Sequence, residues 1–567
     1  MKTLLWILLF NLLGASLFAS DTIIVDAPYY LLDHNKQLIV CNLESNSINS
    51  QWSGEKSHIS LDRVYSFSNP VDTVVIGTEY KVRFLNDHYL LYFTQLPLLK
   101  LEVSQDIPDE PKVPGYMVLS SPTHTLVESH IGIEIRGGWT QGLPKVSYGI
   151  ECWEDTTGNE TKKMSLLNMR EDDDWNLQAM YNEPLRLRNK SGHAIWKTMH
   201  QLSYQGLEPT AANGITMQYA ECSINGVYKG VYAIGEKVDR KQLQLKKHDG
   251  QIRGALYKGF SWGNTTFGNV SNFDNNKDIW DAFEYIHPEE EIDWEPLYDF
   301  IDLVVNDSNE KFFEKYTNHF ELDNAVDYFI FLNLLRASDN TGKNTYIARY
   351  DSDTRFFYIP WDLDGIFGVK WDGENGNYPT GILMNGFYER LIYDCYNTVF
   401  TDRLKDRWAE LREGPLSETA LLEILASNYD YLVRNAVYTR ESIAWPDYED
   451  NASWRWDYTE TFLHKRIEHL DEVFAELCDS IPIIDTTLQT NFIVFPNPSN
   501  GIIHIQIENT TVVDELIVYN STGHKVYETN NFDRLTLEID YLVPGVYFLH
   551  FRTGDYVQVE KIVVNNY

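Results

Sequence analysis

The sequence has no long apolar segment after its first twenty residues, and it is poor in basic residues. No later run is apolar enough to cross a bilayer as a helix, so we expect no transmembrane segment in the mature chain. Lysine and arginine number 47 against 83 acidic residues, a net charge of −36, and so acidic a surface argues against a partner made of nucleic acid. The sequence also shows no internal repeat and no long low-complexity tract, which argues against a solenoid or a disordered chain.

Cysteine is scarce as well. The chain has 5 cysteines, Cys41, Cys152, Cys222, Cys395 and Cys478. No two of them have the spacing of metal ligands, and their low density excludes a small scaffold held by disulfides. Cys152 and Cys222 fall within predicted strands and are one possible pair, which the sequence alone does not decide.

The N-terminus has the pattern of an export signal. One positive charge in Met1–Thr3 precedes an apolar run over Leu4–Leu17, and Ala19 and Ser20 are small enough for cleavage. The run is short for a membrane span and has no stop-transfer flank, so residues 1–19 are predicted to be a signal peptide.

Composition and pattern divide the rest of the chain. Its length of 567 residues suggests roughly three domains, and 43% hydrophobic residues suffice for packed cores. Residues 20–93 read as a β-rich N-terminal segment with strands such as Leu38–Cys41 and Thr73–Ile76. Residues 94–479 begin with strands and continue with helices, which indicates an α+β catalytic body. Its helices are predicted at Leu322–Ala337, Val399–Arg412, Ser417–Arg434 and Trp454–Leu477.

The C-terminal part contains short strands only. After a linker over 480–490, residues 491–567 alternate strands and turns, which predicts a small all-β sandwich. Its blocks are Phe495–Pro498 with Gly501, Val518–Gly523, Leu542–Tyr547 and Lys561–Val564. This region resembles the type A sorting domain of proteins exported by the type IX secretion system of Bacteroidetes. The resemblance implies that this secretion machinery is a partner and that the protein is secreted or attached to the outer surface.

Four polar residues in the body have the pattern of a phosphoryl-transfer site. Asp339 follows the predicted apolar helix, Asn344 lies five residues later, and Asp362 and Asp364 follow the next hairpin. Phosphoryl transfer needs a carboxylate to orient the attacking hydroxyl, and an amide and another carboxylate to hold a divalent metal. The spacing of Asp339 and Asn344 equals that of Asp and Asn in the protein-kinase catalytic loop.

Three basic residues upstream complete this inventory. Lys237 ends a predicted strand, Arg136 precedes a Gly137-Gly138 turn, and Arg188 opens a predicted helix. Each is placed where it could contact nucleotide phosphates.

The body as a whole resembles the CotH (spore-coat protein H) kinase family. The matching blocks are Ile107–Lys112, Ile131–Gly137, Lys145 with Tyr148–Glu151, Asp174-Trp175, Leu187–Asn189, Ile224–Tyr232, Glu236-Lys237, Asp339 with Asn344, Pro360–Asp364 and Phe367-Gly368. The resemblance implies an atypical protein-kinase-like fold and an ATP-dependent kinase that phosphorylates serine or threonine with Mg²⁺ or another divalent ion. It implies that Asp339 is catalytic, that Lys237 contacts phosphate, as Arg136 and Arg188 would more weakly, and that Asn344 with Asp362 or Asp364 binds metal.

The chain departs from the family pattern in places. Gly138–Thr140 replaces a small polar run, Glu183–Arg186 replaces Asp-Lys-Ser, and an aspartate expected near Lys258 is missing. None of these changes affects the predicted catalytic and metal residues, so we expect an active kinase with a secreted or surface protein as substrate. Two alternatives remain open: a surface pseudokinase used as an interaction module, and a glycan-binding or glycan-acting protein, since Trp371 and paired acids suit sugars.

Overall fold

The structure is a computed structural model of one chain. It describes residues 21–42, 49, 54–123, 125–375, 379–392, 395, 397–448, 452–478, 492–495, 499, 502–507, 515–520, 524–530, 536–538, 542–553 and 556–565. The predicted signal peptide and the predicted linker lie outside these residues. The chain forms two compact units, 1–478 and 479–567.

The first unit begins with a seven-stranded sheet. Its strands are β1 (Thr22–Ile24), β2 (Tyr30–Asp33), β3 (Leu38–Cys41), β4 (Lys56–Ser60), β5 (Val64–Val71), β6 (Glu79–Phe84) and β7 (Asp87–Phe93), in the order β1-β4-β5-β6-β7-β3-β2. The sheet is joined to the rest of the unit, because the Asp33 carboxylate accepts a hydrogen bond of 2.9 Å from the Tyr228 backbone N–H.

One strand predicted in this region is wrong. Thr73–Ile76 forms a loop, although its apolar residues suggest a strand. The Asn49 side chain bonds both backbone groups of Val74, at 2.9 Å to the N–H and 3.0 Å to the carbonyl. A distant amide thus replaces the strand partner that Val74 would need.

A closed seven-stranded barrel follows. Its strands are β8 (Leu98–Val103), β9 (Val113–Ser120), β10 (Leu126–Arg136), β11 (Ser147–Trp153), β14 (Asp174–Gln178), β15 (Met217–Ile224) and β16 (Val227–Gly235); β12 (Met164-Ser165) and β13 (Glu171-Asp172) form a small separate ladder. Ile131, Trp175 and Ile234 are among the side chains of its core. Cys152 and Cys222 are buried and free on its strands, so the pairing considered above is wrong. Cys395 is bonded to Cys478 instead.

Helices and a five-stranded sheet make up the rest of the first unit. The described helices are α1 (Arg188–Met199), α2 (Arg240–Leu243), α3 (Glu295–Val305), α4 (Asn309–His319), α5 (Leu322–Leu335), α6 (Gly386–Ile392), α7 (Val399–Arg412), α8 (Glu418–Arg434), α9 (Val437–Ala444) and α10 (Ala452–Glu476). The sheet has the order β18-β19-β17-β20-β21, with β17 (Ala255–Gly259), β18 (Ile279-Trp280), β19 (Phe283–His287), β20 (Thr345–Arg349) and β21 (Phe356–Pro360).

The predicted α+β organisation of the body is confirmed. Helix α5 is the centre of this region, with all but its first two residues buried, and it packs against α7, α10 and β21. No helix in the described residues is both long and apolar enough to span a membrane. The kinase-like fold itself stays a prediction.

The second unit consists of strands in the residues that the structure describes. One sheet has the order β22-β23-β26, formed by β22 (Phe492–Phe495), β23 (Ile502–Ile507) and β26 (Thr536–Glu538). The other has the order β25-β24-β27-β28, formed by β24 (Glu515–Asn520), β25 (Lys525–Thr529), β27 (Gly545–Thr553) and β28 (Tyr556–Val564). Ile503 of the first sheet shares a core with Leu516 and Leu549 of the second.

Candidate active site

The loop after α5 holds the predicted catalytic aspartate. Helix α5 ends because Arg336 takes a left-handed conformation with φ of 57°, and Asp339 begins a short 3₁₀ turn over Asp339–Thr341. Burial raises the pKa of the Asp339 carboxyl, the charge of Lys343 opposes this rise, and the charge of Asp362 adds to it. The Lys343 Nζ lies 3.9 Å from Asp339 Oδ2. A half-buried carboxylate with one cation beside it is suited to accept a hydrogen bond from a hydroxyl group.

Asn340 joins this loop to the loop that carries the acidic pair. Its buried Nδ2 donates to the Asn344 carbonyl at 2.6 Å and to the Trp361 carbonyl at 2.7 Å. The Trp361 N–H donates in turn to the Asn344 carbonyl at 3.0 Å. Asn344 and Asp362 both have positive φ, of 54° and 50°, which is uncommon for residues other than glycine and typical of functional turns. The two predicted loops are therefore held side by side.

Asp362 and Asp364 lie on the loop that follows β21. Burial raises the pKa of the Asp362 carboxyl against the attraction of Arg136. Burial, and then the charge of Asp362, raise the pKa of Asp364 well above its usual range. Asn189 Nδ2 lies 3.4 Å from Asp362 Oδ1, and Asn182 Nδ2 donates to Asp364 Oδ2 at 2.8 Å. Two half-buried carboxylates that repel each other favour a cation between or beside them.

The start of α1 supports this acidic pair. Arg188 is 3% exposed, and its Nη2 donates to the Asn182 carbonyl at 3.1 Å. Burial lowers the pKa of Arg188, and the charges of Glu183 and Asp364 oppose this. Glu183 Oε1 accepts the hydrogen bond of the Arg188 backbone N–H. Arg188 therefore faces Asp364 from inside the protein, which favours a role in holding that carboxylate over a direct contact with phosphate.

Arg136 is the last residue of β10, so it stands at a strand end as the sequence predicts. The following Gly137 has φ of 105°, and a Cβ there would lie 2.4 Å from Thr140 Oγ1, so the turn requires glycine. The Arg136 guanidinium lies 5.6 Å from the centroid of the Trp361 ring. Burial lowers the pKa of Arg136, and the charge of Asp362 opposes this shift. Arg136 is thus a half-buried cation at the acidic pair.

Two lysines lie on the other side of Arg136. Lys237 follows β16, and its Nζ lies 2.6 Å from Asp174 Oδ2, where β14 begins. Lys258 on β17 lies 3.4 Å from Glu284 Oε2, and its charge acts on Asp362. These lysines are partly exposed, so their amines can exchange a carboxylate partner for a phosphate oxygen.

Two depressions meet at these residues, and Arg136 and Trp361 line both. The residues that line the first also include Thr140, Lys145, Ser147, Gln178, Asn182, Asn189, Asp362 and Asp364. The residues that line the second also include Glu134, Asp174, Lys237, Lys241, Lys258, Glu284 and Tyr346. Among the described residues no group of three or more His, Cys, Asp or Glu side chains could hold a metal ion by itself.

The sequence did not single out several residues of this site. Asn182, Asn340 and Lys258 approach the acidic pair through tertiary contacts, and none has a local pattern of its own. Two features of the sequence lie near Asn182 and could have pointed to it. They are the departure from the family pattern that begins at Glu183 and the matching block that ends at Asn189. The predicted site residues Lys237, Arg136, Arg188, Asp339, Asn344, Asp362 and Asp364 all lie in the loops and strand ends described here, and their roles stay predictions.

Comparison with known families agrees with this architecture. The family model described as secretion system C-terminal sorting domain matches residues 493–565, which implies export of the chain. The search of curated proteins returned no match. The family model described as CotH kinase protein matches residues 133–472, more than half of the chain. The chain belongs to the CotH kinase protein family.

Proposed function

We propose that this protein is an exported kinase that transfers the γ-phosphate of ATP to serine or threonine hydroxyls of secreted or surface proteins. The observation that carries this proposal is the joining, through Asn340, of the Asp339 loop to the Asp362 and Asp364 loop. A hydroxyl-orienting carboxylate and a pair of carboxylates for a metal–phosphate group then lie next to each other. Phosphoryl transfer depends mainly on such positioning and on charge stabilisation.

In the proposed reaction the acceptor hydroxyl donates its hydrogen bond to Asp339. The hydroxyl oxygen forms a bond to the γ-phosphorus while the bond from that phosphorus to the β–γ bridging oxygen breaks. ADP leaves with the electron pair of the broken bond, and the hydroxyl proton passes to the Asp339 carboxylate. The raised pKa of Asp339 makes this carboxylate a better proton acceptor than an ordinary aspartate.

The nucleotide would bind on the side of Lys237 and Lys258. Both side chains are partly exposed; Lys237 follows β16 and Lys258 lies on β17. Together with Arg136 and Lys241 they line the second depression, so four cations converge there. Lys237 would exchange Asp174 for a phosphate oxygen or bond both. Arg136 would stabilise the charge that develops on the transferred group.

The acidic pair fits the divalent ion that the family implies. Mg²⁺ is commonly held by one or two carboxylates together with phosphate oxygens and water, so Asp362 and Asp364 suffice on the protein side. Burial and then the charge of Asp362 raise the pKa of Asp364, and a cation would offset both effects. When bound, the ion would neutralise charge on the phosphates; Asn344 is a further candidate ligand.

The C-terminal sorting domain determines where the reaction would occur. Residues 493–565 match a sorting domain, and we assign its recognition to the type IX machinery, with release or attachment at the outer surface. Acceptors would then be proteins that share this route.

An assay of the full chain tests the proposal. Exported proteins from the source cells are incubated with the purified chain, ATP and Mg²⁺, and phosphorylated residues are identified by mass spectrometry. We expect new phosphoserine or phosphothreonine that depends on the metal and on Lys237, tested as Lys237→Met. Binding of ADP without any transfer would support the interaction-module alternative instead.

A further inference from the structure

Exposed tryptophans are concentrated at the candidate active site. In the part of the chain that the structure describes, the tryptophans classed as exposed are Trp139, Trp262, Trp371 and Trp454. Trp139 follows the Gly137-Gly138 turn, and Trp371 follows the loop of the acidic pair. Trp262 lies against the catalytic loop, because a Cβ at Gly342 would come within 3.3 Å of its ring. Exposure of an indole to water is unfavourable. Exposed indoles on three loops of one site therefore indicate a surface that binds a ligand.

Trp139 and Trp371 contact each other beside the first depression, called the cleft below, next to its lining residues Thr140 and Asn182. Their ring centroids lie 4.9 Å apart with an interplanar angle of 88°, and they remain 53% and 45% exposed. Asn182 Nδ2 donates both to the Trp371 carbonyl at 2.6 Å and to Asp364 Oδ2 at 2.8 Å. The indole corner, as we call Trp139 and Trp371, is therefore anchored to the loop of the acidic pair.

The surroundings of the indole corner narrow the class of ligand. The adjoining cleft is lined by hydroxyl and amide groups of Thr140, Ser147, Gln178 and Asn182. The carboxylates of Asp362 and Asp364 in that lining repel an anion that brings no metal ion with it. The cations Arg136 and Lys145 in the same lining disfavour a basic peptide there.

We infer that the indole corner binds a neutral carbohydrate chain at the mouth of the cleft. The C–H faces of a pyranose ring are apolar and pack flat on an indole, while its hydroxyls need donors and acceptors at the ring edge. The corner supplies the apolar faces, and the amides and hydroxyls of the cleft supply the polar partners. This binding needs neither nucleotide nor phosphoryl transfer, so it stands apart from the proposed kinase activity.

Titration calorimetry with the full mature chain tests the inference. The probes are soluble cellohexaose, xylohexaose, mannohexaose and maltohexaose, each up to millimolar concentration. We expect binding of at least one, weakened about fivefold or more by Trp139→Ala and by Trp371→Ala. Trp139→Tyr, which keeps an aromatic face, should retain most of the affinity.

Trp454→Ala is the matched control. Trp454 is as exposed as Trp139, at 53%, but the Arg455 guanidinium already lies 4.9 Å from its ring centroid. We expect its removal to leave oligosaccharide binding unchanged, and all variants to keep the affinity for ADP. The inference is overturned if no probe binds, if both alanine variants bind like the unchanged chain, or if they lose ADP affinity instead, which would assign the indoles to the nucleobase.

Discussion

At the scale of single residues, the proposed catalysis depends on the pKa of Asp339. Its carboxyl is partly buried, which raises its pKa, and the charge of Lys343 opposes this rise. The proposed role needs the ionised carboxylate, so activity should fall as the pH falls through the pKa of Asp339. Because that pKa is raised, the loss begins at a higher pH than for an ordinary aspartate.

Replacing Lys343 should move the acid limb of the pH profile. Lys343→Met removes the charge that lowers the pKa of Asp339, so this pKa rises further and the acid limb of kcat/KM shifts to higher pH. The measurement is kcat/KM for phosphate transfer against pH. Lys311→Met is the matched control, because Lys311 forms a similar i,i+4 pair with Asp307 at 2.6 Å on an exposed helix. An unchanged acid limb in Lys343→Met would show that Asp339 does not set it.

Asn340 is the second residue with a specific expectation. Asn340→Ala leaves the carbonyls of Asn344 and Trp361 without the buried donor that joins them, which costs about 1–3 kcal/mol. We expect the rate of transfer to fall at least tenfold while the affinity for ADP changes much less, because Lys237 and Lys258 lie outside this loop, after β16 and on β17. Asn306→Ala, which removes an amide bonded to Asp302 on an exposed helix end, should change neither. A parallel loss of ADP affinity in Asn340→Ala would contradict the assigned role.

At the scale of elements, buried ion pairs attach helix α9 to the barrel: Arg440 of the helix pairs with Glu221 of β15, and Glu441 forms the larger cluster. Glu441 accepts hydrogen bonds from Lys145 Nζ at 2.9 and 3.1 Å, from Arg186 Nη2 at 2.7 Å and from the Val231 N–H at 2.6 Å. Gly230 has φ of 79°, and a Cβ there would lie 2.0 Å from Glu441 Oε1, so only glycine fits beside it. Burial raises the pKa of Glu441, but the two cations together hold it below its usual value.

Neutralising the Glu441 carboxylate should lower the stability of the folded chain. Glu441→Gln leaves Lys145 and Arg186 buried without their counter-ion, and we expect the free energy of unfolding to fall by about 3–5 kcal/mol. Denaturant unfolding of the full chain measures this. Glu410→Gln, which removes an exposed partner of Arg407, should cost less than about 0.5 kcal/mol. Equal stability of the two variants would contradict the attachment of α9 through Glu441.

Elements with a strong local pattern were predictable, and those set by distant partners were not. Helix α5 was predicted over Leu322–Ala337 and ends at Leu335, because the left-handed Arg336 ends it two residues earlier. Strand β3 and helix α7 have the predicted bounds. The loop at Thr73–Ile76 was mistaken for a strand because Asn49, far away in sequence, bonds its backbone. Likewise Asn182 reaches Asp364 only through tertiary folding, and no spacing in the sequence indicates that contact.

At the scale of the whole molecule, export and catalysis are assigned to separate compact units. The first unit contains the residues of the candidate site, and the second has its own core of side chains such as Leu516 and Leu549. The disulfide between Cys395 and Cys478 in the first unit agrees with an oxidising compartment outside the cytoplasm.

Truncation after Cys478 should therefore separate nucleotide binding from export. We expect the shortened chain to bind ADP with an affinity within twofold of the full chain, and to remain inside the cell when expressed in its source organism. Calorimetry and fractionation of the culture measure the two. Export without the tail would contradict the sorting assignment, and loss of ADP binding would contradict the independence of the first unit.

The most direct test of the central claim is transfer of ³²P from γ-labelled ATP to protein by the full chain and by Asp339→Asn. Both proteins are first shown to bind ADP equally, so that a difference reports the transfer step. We predict labelled serine or threonine with the unchanged chain. With Asp339→Asn the rate of transfer should be lower by about 100-fold or by more. Equal transfer by the two proteins, or no transfer by either despite nucleotide binding, would contradict the account.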